Sequence, residues 1–375
     1  VLASGEVLDM ERGQVRAHPD GYFEIAGATG VRRVPVPTYT MPDVPKRSAG
    51  YFAAPRMDLI DLFIGSEGTL GVIVEATLGL IPRLPATCLA LVPCARETDA
   101  IEMVGRLRNA SIGTWRSGDP RGLDVSAVEF MDRRCLEMLR EDGADLKHGV
   151  EPPADASLLL LVQIELTPGT TAGQAYEQIE QSLDADAPDT PLVRFCRMLN
   201  ASGVLDATEI TMPGDRKRAD QLFAFREAAP EALKRRVALA KEQTGTDIEK
   251  TAADMTVPFA HFADMMRIYR DGFRRRGLDH AIWGHISDGN VHPNVIPRTI
   301  EDVRAGKEAI LEFGREVARF GGCPLSEHGV GRSAVKQTLL RQLYGDRGIE
   351  EMRAVKAALD PAWKLSPGVL FARSQ

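Results

Sequence analysis

Two of the seven histidines in this 375-residue chain, His285 and His292, bracket a short polar stretch in GHISDGNVHPNV. The pattern predicts a strand ending at His285, a turn over Ser287–Asn290 and a returning strand from His292. Flanking a tight turn, two imidazoles can converge on one side, as a metal ion requires; one structural and one surface histidine is the alternative. Asn290 suits a left-handed turn position by its residue type alone and is also a candidate for substrate contact. Further along, SEHGVG offers Glu327 as a hard oxygen ligand. Two histidines and one carboxylate leave coordination positions open for a substrate. His328, the next residue, points elsewhere on the backbone and suits a general base, because its ordinary pKa lies near neutrality. Gly329 and Gly331 allow a backbone close to a cofactor, or simply cap a helix.

A third piece, GSEGTLG, places Gly65, Gly68 and Gly71 within seven residues. Glycines at this density let backbone amides approach a phosphate or a flavin. The loop lacks the G-K-[ST] ending of a phosphate-binding P-loop, and it does not match G-x-G-x-x-G in its strand-to-helix setting. Its spacing is equally that of a tight turn between a helix and a strand.

The elements that must position these pieces follow from periodicity. Val1 opens on LASGEVLDM, read as a strand, a turn at Ser4-Gly5 and a returning strand. An isolated hairpin is marginal, so the expectation is a chain that starts inside a longer protein. Residues 12–55 carry many Gly and Pro and little helical period, which predicts an irregular excursion. DLIDLF then reads as a short helical turn, and VIVEATLGLIP, ending at Pro82, as a strand. A domain boundary is placed around Arg83–Pro85.

Beyond it, strands are expected at 87–93, 127–131 and 157–166, with helices at 97–109, 133–141 and 171–183. The run SLLLLVQIEL reads as a buried central strand. Repeated strands with helices on one face suggest an antiparallel α+β sheet. A long helix over Asp215–Glu242 carries a potential break at Pro230. A strand at Met255–Val257, helices at 259–276 and 301–320, and two final helices complete the reading.

Composition sets limits. The chain is 44% apolar and 26% charged, ordinary for a globular protein of two domains. A net charge of −7 argues against a sequence-independent nucleic-acid binder, which needs a basic face. Cys88, Cys94, Cys135, Cys196 and Cys323 show no C-x-x-C spacing, which favours reduced, structural thiols in a cytoplasmic protein. Peripheral attachment to a membrane, a homodimer or a partner subunit all remain compatible with the composition.

DLFIGSEGTLGVIVEATLGLIP, GHISDGNVHPNV, SEHGVG and DPAWKLSPGVLF occur in the order found in FAD-linked oxidases of the vanillyl-alcohol-oxidase type. The chain resembles that family from Asp58 to Leu370, in its D-lactate, glycolate and D-2-hydroxyglutarate dehydrogenase branch. The resemblance implies an α+β fold: residues 1–82 as the end of an FAD-binding domain, then 83–375 as a cap domain with a ferredoxin-like antiparallel sheet and a helical tail. It implies that the amino-terminal FAD subdomain lies outside this sequence. It further implies that Gly65, Ser66, Glu67, Gly68, Gly71, Val72 and Ile73 line the FAD, and that His285, His292 and Glu327 hold zinc or a similar divalent metal. His328 matches the catalytic base, and Arg226, in LFAFRE, matches an arginine that clamps the substrate carboxylate.

Some positions depart from the family pattern. Ser287 stands where glycine is usual, Ser366 where asparagine is common, and KRSAGY lacks an asparagine. Ala252 stands where the 2-hydroxyglutarate enzymes carry a lysine, with Lys250 two residues earlier, so a clamp for a distal carboxylate does not carry over.

The expected function is FAD-dependent oxidation of a small-molecule 2-hydroxy acid to the 2-keto acid, with electrons passing on to a downstream acceptor. The alternative is a non-catalytic subunit or fragment that binds metal but little FAD. Metal-dependent hydrolysis without flavin would leave GSEGTLG and SPGVL without a role.

Overall fold

A computed structural model of the chain describes residues 1–27, 30–81 and 86–372. Two compact units are present. The first comprises Val1–Leu80, Ala253–Pro258 and Lys307–Gln375; the second comprises Ile81–Ala252 and Phe259–Gly306. The boundary expected at Arg83–Pro85, and Pro82 at the end of an expected strand, lie outside the described residues. In chain order the strands are β1 (Tyr22–Gly27), β2 (Gly30–Pro35), β3 (Thr87–Cys94), β4 (Asp124–Asp132), β5 (Leu158–Glu165), β6 (Glu209–Ile210), β7 (Thr251–Ala252), β8 (Met255–Thr256), β9 (His280–His285) and β10 (Asn290–Val295).

The second unit is the α+β body expected from the alternation of elements. Its sheet runs β6-β3-β5-β4-β9-β10-β7, and the pairings are antiparallel. The SLLLLVQIEL run becomes β5, paired on both edges by β3 and β4. Leu158, Leu159, Leu160, Leu161 and Val162 are all buried, because a central strand with both faces covered requires apolar side chains at successive positions. Leu159 and Leu161 share a core with Leu139 of helix Arg133–Glu141 and with Phe225 and Leu233 of helix Arg216–Thr244. Each such side chain contributes about 1.5–3 kcal/mol on burial. That helix runs through Pro230 without a break. An interior proline costs about 3 kcal/mol, and the buried residues around it, Ala229, Ala232 and Leu233, supply packing that offsets this.

In the first unit, residues 12–55 are more ordered than their Gly and Pro content suggested. β1 and β2 form a hairpin with Phe23 opposite Val34 and Glu24 opposite Arg33. Phe23, Ile25 and Val34 are buried, while Glu24 and Arg33 pair on the other face at 3.0 Å. The period-two alternation of a half-buried strand was present in YFEIAG but was masked by the flanking turn residues. The short helix Leu59–Phe63 starts at a reciprocal capping box between Asp58 and Asp61. Helix Ala334–Leu359 is broken at Gly345 (φ 69°, ψ 177°) into the two expected final helices.

The expected amino-terminal hairpin and the strand expected after the glycine-rich loop are absent among the described residues. At the amino terminus a turn forms, with the Leu2 N–H donating to Glu6 O at 2.8 Å, but no strand ladder follows. Val72–Ile81 is likewise not a strand. It exchanges two hydrogen bonds with Val1, at 2.8 and 2.9 Å, and leaves Val74, Leu78, Leu80 and Ile81 more than two-thirds exposed. A strand is stabilised by a neighbour's ladder rather than by its own residues, and this segment has none here. No helix among the described residues is long and apolar enough to cross a membrane. The five cysteines are buried free thiols; burial pushes Cys88 and Cys94 up to about 12, as expected of structural thiols.

Candidate functional site

The histidine hairpin forms in the second unit. β9 and β10 pair with Asn290 opposite His285 and His292 opposite Trp283. Directly opposed residues share a face, as do residues two apart on one strand, so this register puts both histidines on the same face. Their ring centroids are 5.6 Å apart with planes at 89°. Two imidazoles with this spacing can share one ion about 2.1 Å from a nitrogen of each ring. The connecting turn is the 3₁₀ segment Ile286–Asp288, and its left-handed residue is Gly289 (φ 72°), one position before the asparagine that its residue type suggested. Asn294, two residues beyond His292, is fully buried; its Nδ2 donates to His292 O at 2.5 Å, and its Oδ1 has no hydrogen-bond partner among the described residues.

Gly284 makes this geometry possible. Its φ is 147°, and a β-carbon there would stand 2.7 Å from Val291 Cα and 2.9 Å from Asn290 O. Substitution of Gly284 by alanine is therefore expected to cost about 1–3 kcal/mol from backbone strain and to push β10 away from β9. Chemical denaturation checks this, and an unchanged midpoint would show that the hairpin closes without the glycine.

The adjoining strand brings a residue that no motif indicated. Glu129 of β4 lies directly opposite His285 of β9. Its Oε1 is 2.7 Å from His285 Nδ1, and its Oε2 accepts from Arg226 Nε at 2.9 Å and Nη2 at 2.6 Å. Burial would raise the Glu129 carboxyl, but the His285 hydrogen bond and the Arg226 guanidinium outweigh it and hold the pKa below the ordinary value. Arg226 Nη1 donates to Glu227 at 2.6 Å. Three of the five guanidinium N–H groups thus serve protein carboxylates. The only trace of Glu129 in the sequence was an acidic residue inside the apolar strand text AVEFMD.

The first unit holds the other pieces, and here too carboxylates organise the backbone. Asp254 Oδ2 accepts from the Glu327 N–H at 2.7 Å and the His328 N–H at 3.0 Å. Glu67, in the GSEGTLG loop, accepts from Val330 N–H at 2.8 Å and Gly331 N–H at 2.7 Å. The SEHGVG turn is therefore held from two directions. A β-carbon on Gly329 (φ 62°) would lie 2.8 Å from Glu67 Oε1, which explains the glycine after His328. Glu67 itself has a positive φ of 53°, costly for a side chain of this size. The Glu327 carboxylate pairs with Lys46 at 2.6 Å. Within GSEGTLG, Ser66, Thr69, Leu70 and Gly71 are buried, while Gly65 (φ 77°) and Gly68 (φ 71°) are exposed; Val72 and Ile73 are exposed as well. Ser366 donates to Gly68 O at 3.1 Å.

His285, His292, Asn290 and Arg226 thus belong to the second unit, where Glu129 links His285 to Arg226. Glu327, His328 and Gly65–Ile73 belong to the first, where Glu67 ties the glycine-rich loop to the SEHGVG turn. Glu129, Asp254 and the side-chain role of Glu67 were missed because each acts on a residue far away in sequence.

Comparison with known proteins adds the family. The family described as FAD linked oxidases, C-terminal domain, matches residues 116–370. The glycolate oxidase subunit GlcD of Bacillus subtilis (strain 168) is 30% identical over 331 residues, covering 88% of this chain and 59% of its own length. The mitochondrial D-2-hydroxyglutarate dehydrogenase of Rattus norvegicus is 28% identical, over 83% of this chain and 49% of that protein. The D-lactate dehydrogenase of Archaeoglobus fulgidus is 27% identical, over 86% and 59%. The chain thus spans about half to three-fifths of the length of these relatives. Among solved structures, 4-ethylphenol oxidase from Gulosibacter chungangensis shares the fold at 11% identity, with a TM-score of 0.52 over 96% of this chain and 66% of its own. With the family match covering most of the chain, and the antiparallel α+β body in agreement, this protein belongs to the FAD-linked oxidases and carries their C-terminal domain.

Proposed function

We propose that this chain takes part in the FAD-dependent oxidation of a small 2-hydroxy acid, of the D-lactate or glycolate kind, to the corresponding 2-keto acid. Residues 1–82 serve as the end of an FAD-binding domain and 83–375 as the cap and substrate domain. The observation that carries the reading is the His285–His292 pair on one sheet face, with His285 held at Nδ1 by Glu129, in a chain of this family. The three relatives named above are described as acting on glycolate, D-2-hydroxyglutarate and D-lactate.

Roles follow from the chemistry of each group. His285 and His292 are the nitrogen ligands of a divalent cation such as zinc, and Glu327, assigned by the SEHGVG motif, is its carboxylate ligand. When bound, the cation supplies polarisation of the substrate hydroxyl, and FAD supplies the hydride acceptor. His328 takes the hydroxyl proton. Arg226 directs its N–H groups beyond those bound to Glu129 and Glu227 toward the substrate carboxylate, and Asn290 contributes a further polar contact. Gly65 and Gly68, exposed and in left-handed backbone, let Gly65–Ile73 approach the flat face of the flavin.

The test is spectroscopic. The purified protein is expected to carry flavin absorbance that bleaches anaerobically on addition of D-lactate or glycolate. Retained colour under a full panel of D- and L-2-hydroxy acids would overturn the reading. A colourless preparation that still binds metal would favour a non-catalytic subunit instead.

A further inference from the structure

We propose that Glu129 is a positioning residue: it fixes His285 in the tautomer with the proton on Nδ1, so that Nε2 presents its lone pair to the cation. The inference deepens the metal reading above and rests on it. An ionised carboxylate can only accept hydrogen bonds, so at 2.7 Å from Glu129 Oε1 the His285 Nδ1 must donate. The other oxygen, Oε2, accepts from both Nε and Nη2 of Arg226, so the carboxylate is tied at one oxygen to the guanidinium and at the other to the imidazole. Both side chains are close to nine-tenths buried, at 14% and 11% exposure. The cross-strand register that sets Glu129 opposite His285 makes the contact a property of the sheet and not of a mobile loop.

Arg226 has a structural use in this arrangement besides any contact with substrate: it holds the group that holds the ligand. A carboxylate on the second nitrogen of a metal-binding histidine sets ring orientation and ligand basicity, and its loss typically weakens metal affinity about 10–100-fold. Nothing in the histidine motif points to Glu129, since it lies on a different strand far upstream.

Two measurements test the proposal. Metal-free protein is titrated with Co²⁺, followed by calorimetry and by its visible absorbance. Glu129→Gln, which keeps the side-chain shape, is expected to weaken binding about 10-fold or more with an unchanged circular dichroism spectrum. Independently of any variant, nitrogen-15 NMR of the imidazoles in the metal-free wild-type protein is expected to show His285 protonated at Nδ1. Wild-type binding that E129Q leaves unchanged, or a wild-type His285 protonated at Nε2, would overturn this inference alone. Failure of the wild-type chain to bind Co²⁺ would overturn the metal reading and this inference with it.

Discussion

Replacing Asp360 by alanine is expected to destabilise the protein by about 3–5 kcal/mol, the cost of leaving a buried charge unpaired. Lys356 and Asp360 have side chains 2% and 0% exposed, 2.5 Å apart. The ammonium also donates to Thr69 O at 2.6 Å and Leu365 O at 2.9 Å. The carboxylate accepts from the N–H groups of Lys364 at 3.1 Å and Leu365 at 2.8 Å. The pair thus joins the GSEGTLG loop to the segment leading into SPGVLF, two stretches nearly 300 residues apart in the chain. Asp360→Ala strands the ammonium and orphans two backbone donors; changing both partners to apolar residues of similar size orphans the same donors but leaves no unpaired charge, and should cost less. Thermal and chemical denaturation provide the measurement, and a variant as stable as wild type would show that the pair does not exist in solution.

The pH dependence of this contribution follows from the same contacts. Burial alone would raise the Asp360 carboxyl, but Lys356 and the N–H groups of Leu365 and Lys364 outweigh it and hold the pKa below its ordinary value. A depressed folded-state pKa means that the contribution is present in full above the unfolded-state value of about 3.9. It is lost as the pH falls through the lower, folded value.

His328→Ala is expected to slow anaerobic flavin reduction by a 2-hydroxy acid about 10²–10⁴-fold, the range for removal of a general base. The structure predicts that this loss is chemical and not a folding defect. His328 is an exposed residue, and the turn that carries it is held through its backbone by Asp254 and Glu67, contacts that the substitution leaves intact. The fold should therefore persist in the variant, and so should Co²⁺ binding. Stopped-flow reduction at the wild-type rate would remove His328 from the mechanism.

Much of the architecture was legible where local pattern and tertiary need coincide. The apolar run of β5 requires burial on both faces, and the helix predicted over 133–141 appears with the same limits. The histidines on either side of an Asp-Gly-Asn turn indicated a hairpin, and the hairpin formed. Legibility failed where the outcome depends on a distant neighbour. Val72–Ile81 has the residues of a strand but no ladder, whereas the alternation in YFEIAG was enough once β2 returned beside it. Pro230 predicts a break by itself, yet the helix persists because the apolar residues around it are packed.

By itself, then, the sequence determined the histidine hairpin, the acid–base residue types, the glycine-rich loop and, through the order of those motifs, the FAD-linked oxidase family. Only the tertiary structure decided what holds each of them in place: Glu129 on His285, Asp254 and Glu67 on the SEHGVG backbone, and Lys356 with Asp360 beneath the glycine-rich loop. The reason is physical. A turn or a periodic strand is specified by neighbours along the chain, whereas a carboxylate that orients a histidine or caps a turn acts across hydrogen bonds of about 3 Å between residues that only folding brings together.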